Sequence, residues 1–292
     1  MNQIADKVAV LMEAMPYLKQ YAGKTMVIKY GGNAMINEEL KRAVIQDVVM
    51  LKLLGIRPVL CHGGGPGINA MLKKLDIPVQ FINGLRYTSK EIMEVVEAVL
   101  IGQVNSELVG QVNAAGGQAV GLSGISANLF QCTQLSQELG LVGEITRVNP
   151  APVLALLDSG CIPVVAPVGT DGQGTSYNVN GDIAAGKLAG ALKAEKLILL
   201  TDIAGLCNDV EAGDVISYLN VDDVQALKDQ GTISGGMIPK IDCCVQAVEE
   251  GVTNVHIIDG RQPHSILYDV FAHEGVGTTV GRQSPSVGVK WR

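Results

Sequence analysis

Two glycine-rich segments near the start of the chain have the composition of phosphate-binding turns. Residues 29–33 read KYGGN and residues 62–67 read HGGGPG, and each segment follows a short apolar run and precedes an amphipathic one. A glycine turn at the start of a helix leaves backbone N–H groups uncovered at the positive end of the helix dipole, where phosphate binds. Lys29 ends the first apolar run and would add a cation, although a lysine lying along the surface also fits the pattern. The glycines assigned to a phosphate site are Gly31, Gly32, Gly63, Gly64 and Gly65.

A second lysine, Lys240, follows Gly235, Gly236 and Pro239 in the first turn of a predicted helix. A cation at this position opposes the helix dipole, and an anion between the lysine and the helix end would remove the conflict. Lys240 is therefore either a lysine that meets an anionic ligand at the helix end or a solvated surface lysine. Asp182 stands at the start of another predicted helix, where the pattern allows it to be the N-cap.

Arg86 and Asp202 mark two further candidate binding positions. Arg86 lies in a predicted loop before a helix capped by Ser89. Its planar guanidinium could hold a carboxylate through two parallel hydrogen bonds, although a surface arginine fits the pattern too. Asp202 and Gly205 follow an apolar strand at 196–201, at the strand end where open α/β sheets bind ligands. Because the chain has no G-x-x-x-x-G-K-[ST] segment, any nucleotide there would be held by a design other than the Walker loop.

The composition indicates a globular protein of one large domain or two coupled lobes. The chain has 292 residues, of which 47% are hydrophobic, and a formal net charge of -7 without a lysine- or arginine-rich cluster, which disfavours nucleic acid as a partner. Its six cysteines form no C-x-x-C pair, so we expect reduced thiols in a cytoplasmic protein. No signal peptide and no membrane segment are expected. The histidines share no metal-ligand spacing, and no protein metal ligand is predicted.

Strand-like and helix-like segments alternate along the chain. The strands lack polar alternation, which is typical of a mainly parallel sheet that helices cover on both faces, and the fold class is therefore α/β. The segment from 128 to 149 is less regular. Strands are predicted at 25–29, 57–61, 119–122, 162–168, 196–201 and 254–258, and helices at 38–54, 67–74, from 89 to beyond 104, 150–159, 183–192, 221–230, 238–251 and 264–274.

A separate amphipathic helix is predicted at residues 1–21. Apolar residues recur there at three- and four-residue spacing, which is the helical period. Pro16 should kink this helix, because an interior proline removes one backbone hydrogen bond. The pattern leaves open whether the helix packs on its own sheet or forms an arm against another subunit.

Six motifs stand in the order found in the amino acid kinase family, and the chain resembles that family over essentially its whole length. The motifs occupy residues 27–34, 62–66, 83–88, 177–182, 199–205 and 235–240. The resemblance implies an open αβα sandwich with a mainly parallel central sheet, preceded by the N-terminal helix. It divides the chain into an oligomerisation arm at 1–22, a lobe at 23–180 that binds an acyl amino acid, and a lobe at 181–292 that binds ATP and arginine.

Within that family the motifs are most similar to the branch that phosphorylates the side-chain carboxylate of N-acetyl-L-glutamate in arginine biosynthesis. The implied reaction uses ATP, with Mg²⁺ as the ATP complex, and yields N-acetyl-L-glutamyl 5-phosphate. The N-terminal helix resembles the arm of the arginine-inhibited form of this branch. The implied assembly is a homo-hexamer, a trimer of dimers, with L-arginine as its feedback inhibitor.

The resemblance also assigns roles to individual residues. Lys29 would bridge the phosphate in transfer, Lys240 would meet the ATP side, and Asp182 would hold both lysines in place without acting as a base. Gly64 and Gly65 would contact substrate as well as phosphate. The remaining assignments are Arg86 and Asn178 to the acylated substrate, Asp202 and Gly205 to the nucleotide side, and Tyr17, Glu274 and Gly277 to the arginine site.

Other interpretations of the same residues stay open. Glutamate 5-kinase, carbamate kinase and uridylate kinase share the glycine turns. A dinucleotide-dependent oxidoreductase could use residues 63–67, but Ile68 replaces the last glycine of G-x-G-x-x-G and the two lysines would have no role. A non-catalytic arginine or nucleotide sensor would not need both lysines and Asp182. Gly181 and Tyr30 depart from the alanine and the leucine or phenylalanine common in the family, and neither change alters a charged group.

Overall fold

Helices and strands alternate along the chain, as the apolar runs predicted. The computed structural model describes residues 2–209, 214–271 and 276–282. The helices are α1 Asn2–Tyr21, α2 Glu38–Leu53, α3 Gly65–Lys74, α4 Lys90–Glu97, α5 Ser106–Ala114, α6 Ala151–Asp158, α7 Gly181–Leu192, α8 Val224–Asp229, α9 Met237–Glu249 and α10 Ser265–Phe271. The strands are β1 Thr25–Tyr30, β2 Arg57–His62, β3 Phe81–Ile82, β4 Leu85–Arg86, β5 Ala119–Ser123, β6 Phe130–Gln134, β7 Gly143–Val148, β8 Ile162–Ala166, β9 Val168–Thr170, β10 Ser176–Asn178, β11 Lys196–Thr201, β12 Cys207–Asp209, β13 Asp214–Val215, β14 Tyr218–Asn220, β15 Asn254–Asp259 and β16 Thr278–Gly281.

The strands of one large sheet come from both halves of the described part of the chain. Its strand order is β14-β16-β15-β11-β1-β2-β8-β5, and within the described residues the neighbouring strands are parallel except β15 and β16. The pair β1–β11 joins the strands of the first half to those of the second half. This mainly parallel sheet confirms the predicted α/β class. The lobe boundary at residue 180 stays a prediction.

Alternate side chains of the central strand β1 enter two different apolar clusters. Val27 packs into a cluster that contains α7 and α9, whereas Met26 and Ile28 pack into one that contains α2, α5 and α10. Successive side chains of a strand point to opposite faces, so these clusters lie on opposite sides of the sheet. The result is the expected αβα sandwich. No helix within the described ranges is long and apolar enough to cross a membrane.

Several local predictions were wrong in detail. The long helix that begins after the Ser89 cap is interrupted by a π-helix at Ala98–Asn105 between α4 and α5. The irregular segment from 128 to 149 forms the antiparallel pair β6 and β7, which belongs to a second sheet with the order β10-β9-β6-β7. The strand at 162–168 divides into β8 and β9 around Pro167, which has no N–H for a ladder.

The helix starts agree better with the sequence. The Asn37 side chain accepts hydrogen bonds from two amides of the first turn of α2, and Ser89 accepts one from Ile92, which confirms both predicted caps. The segment at 221–230 begins as a 3-10 turn and continues as α8, and Pro16 lies inside α1. A kink at Pro16 stays a prediction.

Candidate active site

The two glycine turns lie side by side at the carboxyl edge of the large sheet. In the parallel pair of β1 and β2, Tyr30 is opposite His62, and the Gly63 N–H donates to the Tyr30 carbonyl at 2.8 Å. On its other side β1 pairs with β11, so Lys29 lies opposite Leu199. The chain order therefore reverses at β1, and the crevice beyond such a switch point is where open α/β sheets bind ligands.

Lys29 and Lys240 meet at one carboxylate. The Nζ of Lys29 lies 2.9 Å from Oδ1 of Asp182, and the Nζ of Lys240 lies 2.5 Å from Oδ2. Each of the three side chains is less than one-fifth exposed. Lys29 comes from the end of β1, Asp182 from the first turn of α7 and Lys240 from the first turn of α9, so the fold collects the three groups from distant segments.

The two lysines keep Asp182 ionised. Burial alone raises the pKa of this carboxyl group, but the charges of Lys29 and Lys240 outweigh burial and lower its pKa to about 2. The group formed by Lys29, Asp182 and Lys240 therefore carries one net positive charge. This balance favours an anion with several oxygens, such as a phosphate, over a free metal ion.

Asp182 is not the N-cap of α7, which corrects the sequence interpretation. The Asn180 side chain takes that position and accepts hydrogen bonds from the amides of Asp182 at 2.9 Å and Ile183 at 3.2 Å. Because Asn180 satisfies these amides, the Asp182 carboxylate is available to both lysines. An asparagine two residues before the aspartate was a readable cap signal.

The predicted phosphate glycines line this crevice. Gly64 is the N-cap of α3 and Gly65 its first residue, so the helix begins directly at the HGGG turn and two residues earlier than predicted. Gly32 has a φ of +67°, and a Cβ there would lie 2.8 Å from an Asp202 carboxylate oxygen. A Cβ on Gly31 would lie 2.7 Å from the Nζ of Lys29. Because Gly31 and Gly32 have no side chains, Lys29 and Asp202 can approach this glycine turn closely.

Gly205, on the predicted nucleotide side, is another position where a side chain would not fit. Its φ is +154°, and a Cβ would lie 2.8 Å from both Thr278 Oγ1 and Val215 Cγ1. The Thr278 hydroxyl accepts a hydrogen bond from the Leu206 amide at 2.8 Å, which holds the loop after β11 against β16. Together with Asp202 beside Gly32, this loop forms the wall of the crevice on the side of the second half of the chain.

Arg86 lies on a strand and not in a loop, which corrects the prediction for this residue. Strands β3 and β4 form a hairpin whose turn residues Asn83 and Gly84 both have positive φ. The Nη2 of Arg86 donates to Oδ1 of Asn69 at 2.6 Å, and the guanidinium lies 4.9 Å from the centre of the Phe81 ring. Its Nη1 atom is buried without a protein hydrogen-bond partner. A buried donor of this kind is costly unless a ligand meets it.

Asn178 is tied to Arg86 through Thr88. The Nδ2 of Asn178 donates to the Thr88 hydroxyl at 3.1 Å, and that hydroxyl donates to the Arg86 carbonyl at 2.9 Å. Thr88 is fully buried. The structure thus brings the two predicted substrate residues into one hydrogen-bonded group, with Asn69 on the helix that starts at the glycine turn. Sequence reasoning missed Asn69 and Thr88, because their role depends on contacts between distant segments.

The residues predicted for an arginine site are only partly described. Tyr17 of α1 packs against the apolar cluster that also takes Leu267 and Phe271 of α10, and α1 contacts α10. Gly277 has a φ of +86°, and a Cβ there would lie 2.1 Å from the Ile257 carbonyl oxygen. Glu274 lies outside the described residues.

A buried ionic group that was not predicted joins the end of α1 to the second half of the chain. The Asp269 carboxylate lies 2.7 Å from His256 Nδ1 and 3.3 Å from Lys196 Nζ, and the Lys196 ammonium lies 5.2 Å from the centre of the Tyr21 ring. Burial raises the pKa of Asp269, but its electrostatic interactions and hydrogen bonds with His256 and Lys196 lower it overall. Four polar side chains from α1, β11, β15 and α10 thus meet at one point.

Comparison with known proteins agrees with this arrangement. The sequence profile of the amino acid kinase family matches residues 24–259. The acetylglutamate kinase of Heliobacterium modesticaldum is 50% identical over 293 residues, covering 96% of this chain and 99% of the relative. The acetylglutamate kinase of Geobacter sulfurreducens is 51% identical over 294 residues, covering 97% of this chain and 100% of the relative.

Solved structures share the architecture. An N-acetylglutamate synthase from Neisseria gonorrhoeae, complexed with coenzyme A and N-acetyl-glutamate, superimposes with a TM-score of 0.84 at 26% identity over 95% of this chain, which spans 64% of the synthase chain. A carbamate kinase from Giardia lamblia bound to AMP-PNP superimposes with a TM-score of 0.63 at 17% identity, over 90% of this chain and 100% of that chain, and supports the fold alone. By its profile match and its close full-length relatives, the chain belongs to the amino acid kinase family and, within it, to the acetylglutamate kinases.

Proposed function

We propose that this protein transfers the γ-phosphoryl group of ATP to the side-chain carboxylate of N-acetyl-L-glutamate and so forms N-acetyl-L-glutamyl 5-phosphate in arginine biosynthesis. The observation that carries the proposal is the contact of Lys29 and Lys240 with the single carboxylate of Asp182 beside two glycine turns. Phosphoryl transfer spreads negative charge over the moving oxygens, and catalysis depends mainly on positioning and on cations that meet this charge.

In the proposed reaction, a carboxylate oxygen of the substrate attacks the γ-phosphorus and ADP leaves. The carboxylate is already ionised at neutral pH, so the site needs no general base. Lys29 and the glycine amides would neutralise the γ-phosphate oxygens, and Lys240 would neutralise the leaving phosphate from the other side. Asp182 would keep the two ammonium groups at a fixed separation.

Arg86 and Asn178 would hold the acyl amino acid. The unpartnered Nη1 of Arg86 supports a ligand carboxylate at this point, because the guanidinium could then donate both terminal nitrogens while Asn69 keeps its plane fixed. Asn178, fixed by Thr88, would meet the polar atoms of the acylated amino group.

We propose that Mg²⁺ enters as the ATP complex, held by phosphate oxygens and water. This fits the site, because Lys29, Lys240 and the glycine amides would bind the anion, while the Asp182 carboxylate is already paired with both lysines. The ion would supply further charge neutralisation on the phosphates.

The activity is tested by incubating the protein with ATP and, in parallel, N-acetyl-L-glutamate, glutamate, carbamate or UMP. Hydroxylamine traps an acyl phosphate as a hydroxamate, and ADP release is followed in all four reactions. The proposal predicts hydroxamate and matching ADP with N-acetyl-L-glutamate well above the other substrates. A preference for glutamate, carbamate or UMP would place the protein in another branch of the family.

The proposed regulation is feedback inhibition by L-arginine in a hexamer assembled through α1. Support comes from the uncovered apolar face of this helix, because the exposed fractions of Val8, Leu11 and Met12 are 53%, 65% and 58%. Exposed apolar side chains in such a row are typical of a surface that packs against another subunit. The arm would then meet the same helix of a neighbouring protomer.

Arginine would act where α1 meets α10. Tyr17 of α1 packs against the apolar cluster that includes α10, and Tyr21 at the end of α1 lies beside Lys196, which pairs with Asp269 in the second half of the chain. An effector that binds α1 and the second half together could inhibit by having different affinities for open and closed arrangements of the lobes. We also propose a cytoplasmic location, as expected for a biosynthetic enzyme with reduced thiols.

A further inference from the structure

Asn105 is a buried asparagine at the end of the π-helix Ala98–Asn105, directly behind the HGGG turn. Its Nδ2 lies 2.9 Å from the Val164 carbonyl oxygen, 3.0 Å from His62 Nε2 and 3.3 Å from the Leu122 carbonyl oxygen. The two carbonyl oxygens only accept hydrogen bonds, so the atom that faces them must be the amide nitrogen. π-Helical turns are rare and occur frequently at functional sites.

The neighbouring strand is built to admit this side chain. A Cβ on Gly121 would lie 2.1 Å from Oδ1 of Asn105, and real Cβ atoms do not approach so closely. Gly121 lies in β5, at the edge of the large sheet. The amide of Asn105 therefore occupies a space that is open because residue 121 is glycine. Its oxygen faces Gly121 and its nitrogen faces the two carbonyl oxygens, so the orientation of the amide is fixed.

The two neighbours of His62 determine its tautomer. The histidine is fully buried, and burial lowers its pKa to about 4, so it is neutral at pH 7. The Gly63 carbonyl oxygen, 2.7 Å from Nδ1, can only accept a hydrogen bond, so Nδ1 must carry the proton. Nε2 is then unprotonated, which agrees with the Asn105 amide nitrogen beside it, because that nitrogen cannot accept and shares its two hydrogens among Val164 O, Leu122 O and Nε2.

The Gly63 carbonyl in turn fixes the amide of Gly64. The C=O and N–H groups of a trans peptide point in opposite directions, so a carbonyl held towards His62 directs the Gly64 N–H away from it. The π-helix also supports the turn by packing, because a Cβ on Gly64 would lie 2.3 Å from Leu100 and one on Gly67 would lie 3.1 Å from Val99. The same short helix thus contacts the turn through apolar side chains and through the Asn105–His62 hydrogen bond.

We infer that Asn105 is a positioning residue for phosphoryl transfer, acting through His62 and the Gly63 carbonyl to aim the Gly64 amide at the phosphate in transfer. The inference rests on the proposed function for the identity of the anion, whereas the tautomer of His62 does not depend on it. Asn105 contacts the turn only through His62, and its effect is on the direction of a donor. A misaimed donor should lower kcat more than it raises KM.

The first test is the tautomer of His62 in the whole protein. The chain has four histidines, and selective ¹⁵N labelling with the variant His62→Gln assigns the His62 signals. Protonated and unprotonated imidazole nitrogens differ widely in ¹⁵N chemical shift. We expect protonated Nδ1 and unprotonated Nε2 in the wild type, and protonation of both nitrogens in Asn105→Asp, because its carboxylate accepts from Nε2 while the Gly63 carbonyl oxygen still accepts from Nδ1. A wild-type His62 protonated at Nε2 would overturn the inference, whether or not the protein makes an acyl phosphate.

The second test is kinetic. Asn105→Leu removes the amide that faces Nε2 and keeps a side chain of similar shape, and it should lower kcat about a hundredfold with the KM for N-acetyl-L-glutamate nearly unchanged. An unchanged kcat in folded Asn105→Leu would contradict the inference. If Asn105→Leu does not fold, the pair His62→Asn and His62→Leu decides, because the asparagine amide nitrogen can replace Nδ1 as donor to Gly63 and leucine cannot. His62→Asn should retain most of the kcat and His62→Leu should lose about a hundredfold, and equal kcat values in the two variants would overturn the role of the donor.

Discussion

Lys240 donates a hydrogen bond to Asp182 across 2.5 Å and thereby joins the first turns of α9 and α7. The other oxygen of the same carboxylate faces Lys29 at the end of β1. Two ammonium groups this close would repel each other without the carboxylate between them. The close approach of the two ammonium groups therefore depends on the ionised Asp182 side chain.

The first prediction concerns the acid sensitivity of Asp182. Its folded-state pKa of about 2 lies below the ordinary value of 3.8, so its ionised form stabilises the fold above pH 3.8, and this stabilisation is lost as the pH falls towards 2. A shift of this size corresponds to roughly 2 kcal/mol. The free energy of unfolding is measured in urea at pH 5 and at pH 2 for the wild type and for Asp182→Asn. Its decrease between the two pH values should be about 2 kcal/mol smaller in Asp182→Asn than in the wild type.

The control for this prediction is Asp158→Asn. The Asp158 carboxylate pairs with Arg57 at 2.5 Å but is 69% exposed, so solvent screens the pair and its contribution should be small. If Asp182→Asn shows the same pH dependence as the wild type and as Asp158→Asn, Asp182 is not held ionised by the lysines.

The second prediction concerns the two lysines. Lys29→Ala and Lys240→Ala should each lower kcat on the order of a thousandfold, because each ammonium meets charge that develops during transfer. Lys41→Ala is the matched control, since Lys41 pairs with Glu38 and Glu107 outside the crevice. Circular dichroism should show the same fold in all three variants. Turnover like that of the wild type in either active-site variant would remove that lysine from the mechanism.

The third prediction concerns the recognition of the acyl amino acid. Arg86→Lys should raise the KM for N-acetyl-L-glutamate at least about tenfold, with a much smaller effect on the KM for ATP, because lysine lacks the two-pronged fork. Steady-state kinetics with each substrate varied in turn give both constants. Arg57→Lys, at an exposed ion pair, is the control. Equal weakening for the two substrates would mean that Arg86 supports the fold and not the substrate.

The fourth prediction concerns Gly181, the first residue of α7 and the neighbour of Asp182. A Cβ there would lie 3.6 Å from Lys29 Cε and 3.8 Å from His62 O, which are ordinary contacts. Gly181→Ala should therefore keep kcat and change the free energy of unfolding by less than about 1 kcal/mol. Gly124→Ala is the contrast, because its Cβ would lie 2.3 Å from the Val168 carbonyl oxygen, and it should cost about 1–3 kcal/mol. A large loss of activity in Gly181→Ala would show that the crevice is tighter than the contacts indicate.

The fifth prediction concerns the arm and arginine. Removal of residues 1–22 should give smaller, active oligomers with weaker inhibition by L-arginine, as measured by size-exclusion chromatography with light scattering and by initial rates. Glu274→Ala should keep activity and lose inhibition. A wild-type dimer whose rate saturating arginine leaves unchanged would refute the regulatory proposal without affecting the kinase assignment.

The sequence predicted what depends on local pattern. Apolar strands without polar alternation gave the parallel sheet, and the caps at Asn37 and Ser89 gave two helix starts within one residue. The glycine turns and Lys29 were found because they stand where apolar strands end, and Lys240 was found because it stands in the first turn of a helix that follows two glycines. These features need only neighbouring residues and the general rules of α/β folds.

The parts that the sequence did not predict depend on contacts between distant segments. Nothing local to Asn105 indicates that its amide reaches His62 and two strand carbonyls, and nothing near Asn69 indicates that it holds Arg86. The apolar pattern continues from α4 into the π-helix without a break, so the sequence did not predict the different hydrogen bonding of the π-helix. Asn180 is an exception, because a cap signal was present and the neighbouring aspartate was preferred to it.

The most direct test of the account is the origin of the oxygen that bridges to phosphorus. N-acetyl-L-glutamate labelled with ¹⁸O in its side-chain carboxylate is incubated with ATP and the protein, and hydroxylamine then attacks the acyl carbon and releases the phosphate. If the carboxylate oxygen attacks the γ-phosphorus, mass spectrometry should find one ¹⁸O atom in each released phosphate, and Lys29→Ala should lower the rate at which this labelled phosphate forms on the order of a thousandfold. Phosphate without ¹⁸O, released at the same rate as ADP, would mean that water is the acceptor and would contradict the proposed kinase activity.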